Sequence, residues 1–296
     1  MARIISVSFA CLALLLFLVS CASTEEQVAQ GNWLDQVEQQ ALLEGVSPQT
    51  VHAALDHFVP NPRVVELDKK QPEKTITFET YRHNTISAAR VKKGADLMRL
   101  YAPQLSAIET RTGVPPQIVI ALWAVESSFG QNMGNFETVN SLATLAYEGR
   151  RASFFRSELI AALHILDREH MAPTSLRGSW AGAMGQCQFM PSTYLNYAVD
   201  GDGDGRIDIW NDTSDVLASI ANYLAAEGWQ RGLGWGQETN NPPLDLPPTA
   251  LMQPDGVQGA SFIVSDNIRA LMRWNHSTYF ALSVGLLSDQ IAQQAQ

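Results

Sequence analysis

One carboxylate, Glu126, stands in the run ALWAVESSFG, Ala121 to Gly130, an otherwise apolar stretch with no basic residue nearby in sequence to neutralise it. Pro115 and Pro116 suit a first helical turn, and Ile118, Leu122, Val125 and Phe129 recur at helical spacing as a core stripe, with Gly130 as the stop. Helical side chains lie back over the preceding turn, so Glu126 should be walled by Leu122 and Trp123, with Phe129 one turn on. It also falls in the last turn, where the negative end of the helix dipole disfavours a carboxylate. Desolvation and dipole both raise its pKa, as a general acid working near neutrality requires. A last-turn glutamate more often points to water, and the segments downstream decide for the chemical reading.

The second such segment is GSWAGAMGQCQFMPSTY, Gly178 to Tyr194. Gly178, Gly182 and Gly185 allow close backbone approach, while Ser179, Gln186 and Gln188 offer hydroxyl and amide groups for a polyhydroxylated ligand or for steering a carboxylate. By itself it would be only a tight turn. Cys187 lies inside this loop with no base beside it and reads as a packing residue. His164 and His170 lack spaced partners and are not read as metal ligands.

The third segment, DGDGDGRIDIWND, places oxygens at Asp200, Asp202, Asp204 and Asp208, glycine at the sixth position and Ile207 at the eighth. That is an EF-hand-type calcium loop in all but its end. Asn211 occupies the place of the usual glutamate, so the bidentate ligand must come from Asp212 or Asp215. A single loop suits a structural ion rather than a sensor.

Helical patterns must carry these segments. They run from Trp33 to Leu43, from Ser47 to about Phe58, from Ser87 through Leu100 and on to Thr110, over Ser141 to Tyr147 and Phe154 to Asp167, from Pro191, from Ser265 through Met272, and over Ser277 to Leu287. Pro60 and Pro62 predict an extended crossing. KTITFETY, Lys74 to Tyr81, alternates and predicts a short strand or arm that brings Tyr81 toward a site. The Gly/Pro-rich stretch after Trp229 predicts irregular chain or short strands.

The 296 residues permit an ample core, and the net charge of −10 argues against nucleic acid as a partner. Arg3 precedes an apolar run from Ile4 to Val19, a secretory signal by its length and position. Its end, Leu18-Val19-Ser20-Cys21, resembles the bacterial lipobox, which implies cleavage before Cys21 and acylation of that residue. Of three cysteines Cys187 would then be the only free thiol, so no intramolecular disulfide could form. By the same resemblance, Ala22 implies outer-membrane sorting in a Gram-negative cell.

In their order, TGVPPQIVIALWAVESSFG, SLATLAYEGRR, the glycine loop, the aspartate loop leading into ASIANYLAAEGW, and RWNHSTYFALSVGLL resemble the membrane-bound lytic murein transglycosylase B family over nearly all of the chain after Cys21. The resemblance implies a mainly α fold, a lysozyme-like helical core with a small EF-hand-like calcium loop and a flanking helical subdomain. It also implies an enzyme that cuts the β-1,4 bond between N-acetylmuramic acid and N-acetylglucosamine in peptidoglycan, leaving 1,6-anhydromuramoyl ends. A lysozyme-type hydrolase and a non-catalytic glycan-binding lipoprotein are the alternatives.

Residue by residue, the family's acid/base falls on Glu126 and its orienting serine on Ser179. Its sugar contacts fall on Gln188, Tyr81, Tyr223 and Asn275, and its calcium ligands on Asp200, Asp202, Asp204, the Arg206 carbonyl and Asp215. The expected organisation is a signal at 1–20, lipidated cysteine and tether at 21–32, and a catalytic region at 33–296. Within that region, segments 33–112 and 231–296 flank a core at 113–230 that contains the calcium loop at 200–215. The expected partners are peptidoglycan strands and, through Cys21, the periplasmic side of the outer membrane, with calcium as the one cofactor and the chain a monomer. Two departures stand out: Trp274 replaces the family's tyrosine, and the stretch from Gly232 to Gly259 looks short. Both are expected to touch outer sugar subsites rather than the chemistry.

Overall fold

The computed structural model describes residues 31–70, 76–148, 150–243 and 245–296. The signal run, Cys21 and most of the tether lie outside them. Helices dominate: α1 (residues 31–43), α2 (Pro48–Leu55), α3 (Pro62–Lys69), α4 (Phe78–Thr85), α5 (Ala88–Leu100), α6 (Ala102–Thr112), α7 (Pro116–Ser127), α8 (Thr138–Glu148), α9 (Ala152–Arg168), α10 (Pro191–Tyr197), α11 (Thr213–Ala226), α12 (Ile268–Trp274) and α13 (Thr278–Ala295).

The helix α7 sits at the centre. Ile118 through Ala124 are buried without a break, because α5, α11 and α13 pack around it. The expected single apolar stripe is therefore too narrow a description: a helix apolar on every side is enclosed on every side. At one crossing Gly94 of α5 lies so close to Ile291 of α13 that an added Cβ would stand 2.6 Å from its Cδ1. A second group, α8 with α9, is braced by α2, α3 and α10.

Helix starts follow local chemistry. Ser47, Ser87 and Ser277 accept from the backbone N–H three residues on, capping α2, α5 and α13. Pro62 occupies the first turn of α3 behind the cap Asn61, so the expected extended crossing shrinks to a few residues.

The expected strand at Lys74 to Tyr81 is corrected. Residues 71–75 lie outside the described ones, and from Phe78 the chain is helical. Thr77 caps α4 by accepting from the Thr80 N–H, and Asp255 accepts from the Phe78 N–H at 2.8 Å. Two alternating apolar residues were too short a pattern to outweigh a capped start.

The Gly/Pro-rich stretch forms short strands, β3 (Gly236–Thr239), β4 (Leu251–Met252) and β5 (Ser261–Val264), in an antiparallel sheet ordered β3-β5-β4. A separate pair, β1 (Phe136–Glu137) with β2 (Arg177–Gly178), ties the start of α8 to the glycine loop.

Candidate active site

Glu126 lies in the last turn of the buried helix α7, and an abrupt reversal of the chain follows it. Ser128 and Phe129 both adopt left-handed backbone, φ 51° and 61°, followed by Gly130 at 80°. Two consecutive non-glycine residues in that region carry strain that the surrounding bonds must hold. Phe129 thus leaves the helical register expected for it and lays its ring edge against Trp123, with centroids 5.5 Å apart.

Gln186 is the main brace. Its Oε1 accepts from the Trp123 indole at 2.9 Å, its Nε2 donates to the Trp210 carbonyl at 2.9 Å, and its own carbonyl accepts from Ser127 Oγ at 2.7 Å. A side chain at Gly130 would collide with the Gln186 amide, so glycine there admits the brace as well as the turn. This glutamine, expected to meet a ligand or to steer a carboxylate, joins α7, the glycine loop and the aspartate loop.

Around Glu126 the side chains come from distant parts of the chain. Trp274, at the end of α12 and 148 residues away, donates its indole Nε1–H to Glu126 Oε1 at 2.6 Å. The Trp274 ring packs against Tyr223 of α11 and Phe189 of the glycine loop, with centroids 4.7 and 5.2 Å apart. The Trp274 departure thus lies at the acid itself. Sequence reading could not see this, since only folding brings α12 to the end of α7.

Tyr81 on α4 stands on another side, near enough that the charge of Glu126, after burial, pushes up its phenol pKa. Its ring meets that of Tyr279 edge-on at 5.8 Å. Tyr223 is almost enclosed, and its phenol is pushed up to about 12, chiefly by burial.

Glu126 keeps part of its surface exposed. Burial nonetheless raises its pKa from the ordinary 4.5 to about 7, against the opposing hydrogen bond from Trp274. Among the described residues no second carboxylate acts on its titration.

The remaining expected site residues lie as follows. Ser179 Oγ accepts from the Ala183 N–H at 3.0 Å within its own loop. Gln188, left-handed at φ 51°, donates from Nε2 to the carbonyls of Gly185 and Met133 at 2.9 and 3.1 Å. Asn275 ends α12, exposed, with Oδ1 accepting from the Ser277 N–H at 3.1 Å. Cys187 is buried, and burial raises its thiol well above the ordinary range, which suits packing.

In the aspartate loop, ligand oxygens of Asp200, Asp202 and Asp204 lie within 4.8 Å of one another. Asp208 is committed to the backbone N–H groups of Trp210 and Asn211, both at 2.9 Å, and Asp212 caps α11 by accepting from Ser214 and Asp215. Asp215, 2% exposed, faces back into the loop and accepts from Gly201 at 2.7 Å and Asp208 at 2.6 Å. Among the described residues no Lys or Arg forms an ion pair with any of these carboxylates. Converging carboxylates beside a buried one, without a protein cation, fit a hard divalent ion with oxygen ligands.

The chain as a whole is similar to known proteins. Residues 29–247 and 240–289 match the family described as Transglycosylase SLT domain. The chain is 35% identical over 241 residues to membrane-bound lytic murein transglycosylase B of Escherichia coli (strain K12), a match covering 72% of this chain and 66%, just under two thirds, of that protein. SltB3 from Pseudomonas aeruginosa, solved in complex with NAG-NAM-pentapeptide, superposes with a TM-score of 0.83 at 38% identity, covering 90% of this chain and 80% of that one. The Escherichia coli lytic transglycosylase SLT35, solved in complex with calcium, superposes with a TM-score of 0.78 at 30% identity, covering 88% of this chain and 93% of that one.

Proposed function

The chain belongs to the transglycosylase SLT family, and from that membership and the surroundings of Glu126 we propose that it is a lytic transglycosylase of peptidoglycan. The observation that carries the reading is a lone carboxylate, partly exposed, with its pKa raised to about 7. Ordinary glycosidases flank the bond with two carboxylates, one of them to activate water or attack the sugar. A solitary acid suits a reaction in which the substrate supplies its own nucleophile.

Glu126, protonated, donates to the glycosidic oxygen between N-acetylmuramic acid and N-acetylglucosamine as the C1–O bond breaks. The substrate's N-acetyl group stabilises the oxocarbenium-like centre. Glu126, now a carboxylate, takes the proton from the muramoyl O6 hydroxyl as that oxygen bonds to C1, closing the 1,6-anhydro ring. Because nucleophile and electrophile share one sugar, proximity stands in for a bimolecular attack by water. The indole of Trp274 holds the carboxylate through both transfers. Tyr81, Tyr223, Gln188 and Asn275 contact sugars, and Ser179 helps orient Glu126 once substrate fills the cleft.

Asp200, Asp202, Asp204, the Arg206 carbonyl and Asp215 hold a structural calcium ion, a reading supported by the geometry of the loop and by the calcium complex of SLT35. No described helix is long and apolar enough to cross a membrane. An acyl anchor at Cys21 would attach the protein to the periplasmic side of the outer membrane, in keeping with the membrane-bound relative. Replacing Cys21 with serine should release it from membranes; continued pelleting would refute the anchor.

Mass spectrometry of digested sacculi tests the activity. Anhydromuramoyl ends are expected from the wild type and not from Glu126→Gln. New reducing ends in their place would establish a hydrolase, and strand binding without turnover a glycan-binding protein.

A further inference from the structure

The protein carries a net charge of −10, yet two cations contact the chain reversal that follows Glu126 and, among the described residues, form no ion pair. The other basic residues of α4 and α5 that form ion pairs show the contrast. Arg82 meets Glu238 at 3.1 Å, Lys92 meets Asp96 at 2.8 Å, and Arg99 meets Asp96 at 2.6 Å. Among the described residues Arg90 and Lys93 have no such carboxylate.

Arg90 is half-buried, and its guanidinium is held in place by neutral acceptors. Nη1 donates to the Thr85 carbonyl at the end of α4, and Nη2 to Ser128 Oγ at 3.4 Å. Ser128 is two residues past Glu126, in the left-handed reversal. One helical turn on, the Lys93 ammonium lies over the Phe129 ring, 5.4 Å from its centroid. Both cations thus contact the strained pair Ser128–Phe129, which directly follows the last turn that bears Glu126.

A guanidinium presents five N–H donors, and the two hydrogen bonds made here leave a fork for a further acceptor. Burial lowers the pKa of Arg90, as expected for a cation withdrawn from water with no anion to offset it. The raised pKa of Glu126 is set by its burial, offset in part by the Trp274 hydrogen bond. A site that must admit an anion to a negative protein, without neutralising its own acid, needs positive charge one step removed from that acid.

We propose that Arg90 and Lys93 form a carboxylate-binding subsite beside the catalytic cleft, which takes a negatively charged group carried on the lactyl arm of the muramoyl sugar. The subsite deepens the peptidoglycan reading above and rests on it. Two sources share this chemistry: the carboxylates of a peptide stem, and the lactyl carboxylate itself where the stem has been removed.

Binding is measured on Glu126→Gln protein, so turnover does not enter. Soluble strands with intact stems, strands stripped of stems by an amidase, and a neutral N-acetylglucosamine hexamer are titrated by calorimetry at low and moderate salt. Adding Arg90→Gln and Lys93→Gln together should weaken binding of charged strands by about tenfold at low salt and flatten its salt dependence. The hexamer should bind within about twofold of the parent.

Loss on stem-bearing strands alone assigns the subsite to stem carboxylates, and loss on stripped strands alone assigns it to the lactyl carboxylate; loss on both means that it takes either. Unchanged affinity for both charged strands overturns the proposal, as does an equal loss for the neutral hexamer. Lys93→Gln alone, which removes no hydrogen bond among the described residues, should give part of the same loss even if changing Arg90 unfolds the chain. Should the wild type release no anhydro ends while the charged-strand loss persists, the catalytic reading fails and the subsite stands.

Discussion

The indole Nε1–H of Trp274 meets Oε1 of Glu126 at 2.6 Å, so the acid is held by a neutral donor that cannot take up its proton. A donor of this kind orients a carboxylate and favours its charged form; burial opposes it and prevails, leaving a pKa of about 7. The acid is therefore near half-protonated at neutral pH, where it can give a proton and then accept one.

With protonated Glu126 required for the first step, the rate should fall as pH rises through about 7. In Trp274→Phe the aromatic packing is retained and the hydrogen bond lost, so the pKa rises further and the alkaline limb moves to higher pH. Turnover should drop about tenfold or more because the carboxylate is no longer held. A pH profile of kcat/KM checks both effects; a limb that stays in place or moves to lower pH would refute the role of the indole.

Glu126 also couples stability to pH. Its folded pKa exceeds the ordinary 4.5, so between 4.5 and about 7 the folded state holds a proton that the unfolded state has lost. Stability from this group is full below 4.5 and falls as pH rises through about 7, by up to about 3 kcal/mol. The amide in Glu126→Gln does not ionise. That variant should melt higher than the wild type at pH 8, by up to about 10 °C, with the gap closing toward pH 4.5. Parallel melting curves across that range would show that the carboxylate is not desolvated.

In the aspartate loop, removing one ligand should matter only when the ion is present. Asp202→Ala is expected to melt several degrees lower than the wild type in calcium and close to it in excess chelator. Equal shifts in the two conditions would mean that Asp202 supports the loop by its hydrogen bonds alone.

Asp255 anchors the helix that bears Tyr81, accepting from the Phe78 N–H at 3.1 and 2.8 Å and from the Tyr279 hydroxyl, across 177 residues of sequence. Asp255→Ala removes a charged cap worth about 1–2 kcal/mol and should lower the melting temperature by about 3–6 °C. Because Tyr81 would then move, KM for glycan strands should rise more than kcat falls. The opposite split, or an unchanged KM, would separate the Asp255 anchor from substrate binding.

Contiguous stretches made much of this site legible in sequence. Glu126 among apolar neighbours, the glycine loop and the alternating aspartates each stand out within about twenty residues, because helical period, close backbone approach and the spacing of acidic side chains are local patterns. The same locality explains the misreading at Lys74 to Tyr81, where two alternating apolar residues imitated a strand and the stabilising contact came from Asp255.

What the sequence determined by itself was an unneutralised glutamate in an apolar run, a loop of alternating aspartates and most of the helices that carry them. Only the tertiary structure decided that α7 is enclosed on every side, that Gln186 braces three segments, that Trp274 holds Glu126, and that Arg90 and Lys93 meet Ser128 and Phe129 with no ion pair among the described residues. These are relations between segments brought together by burying apolar surface. Burial fixes the environment of a charge, and with it a pKa, through neighbours that no local pattern records.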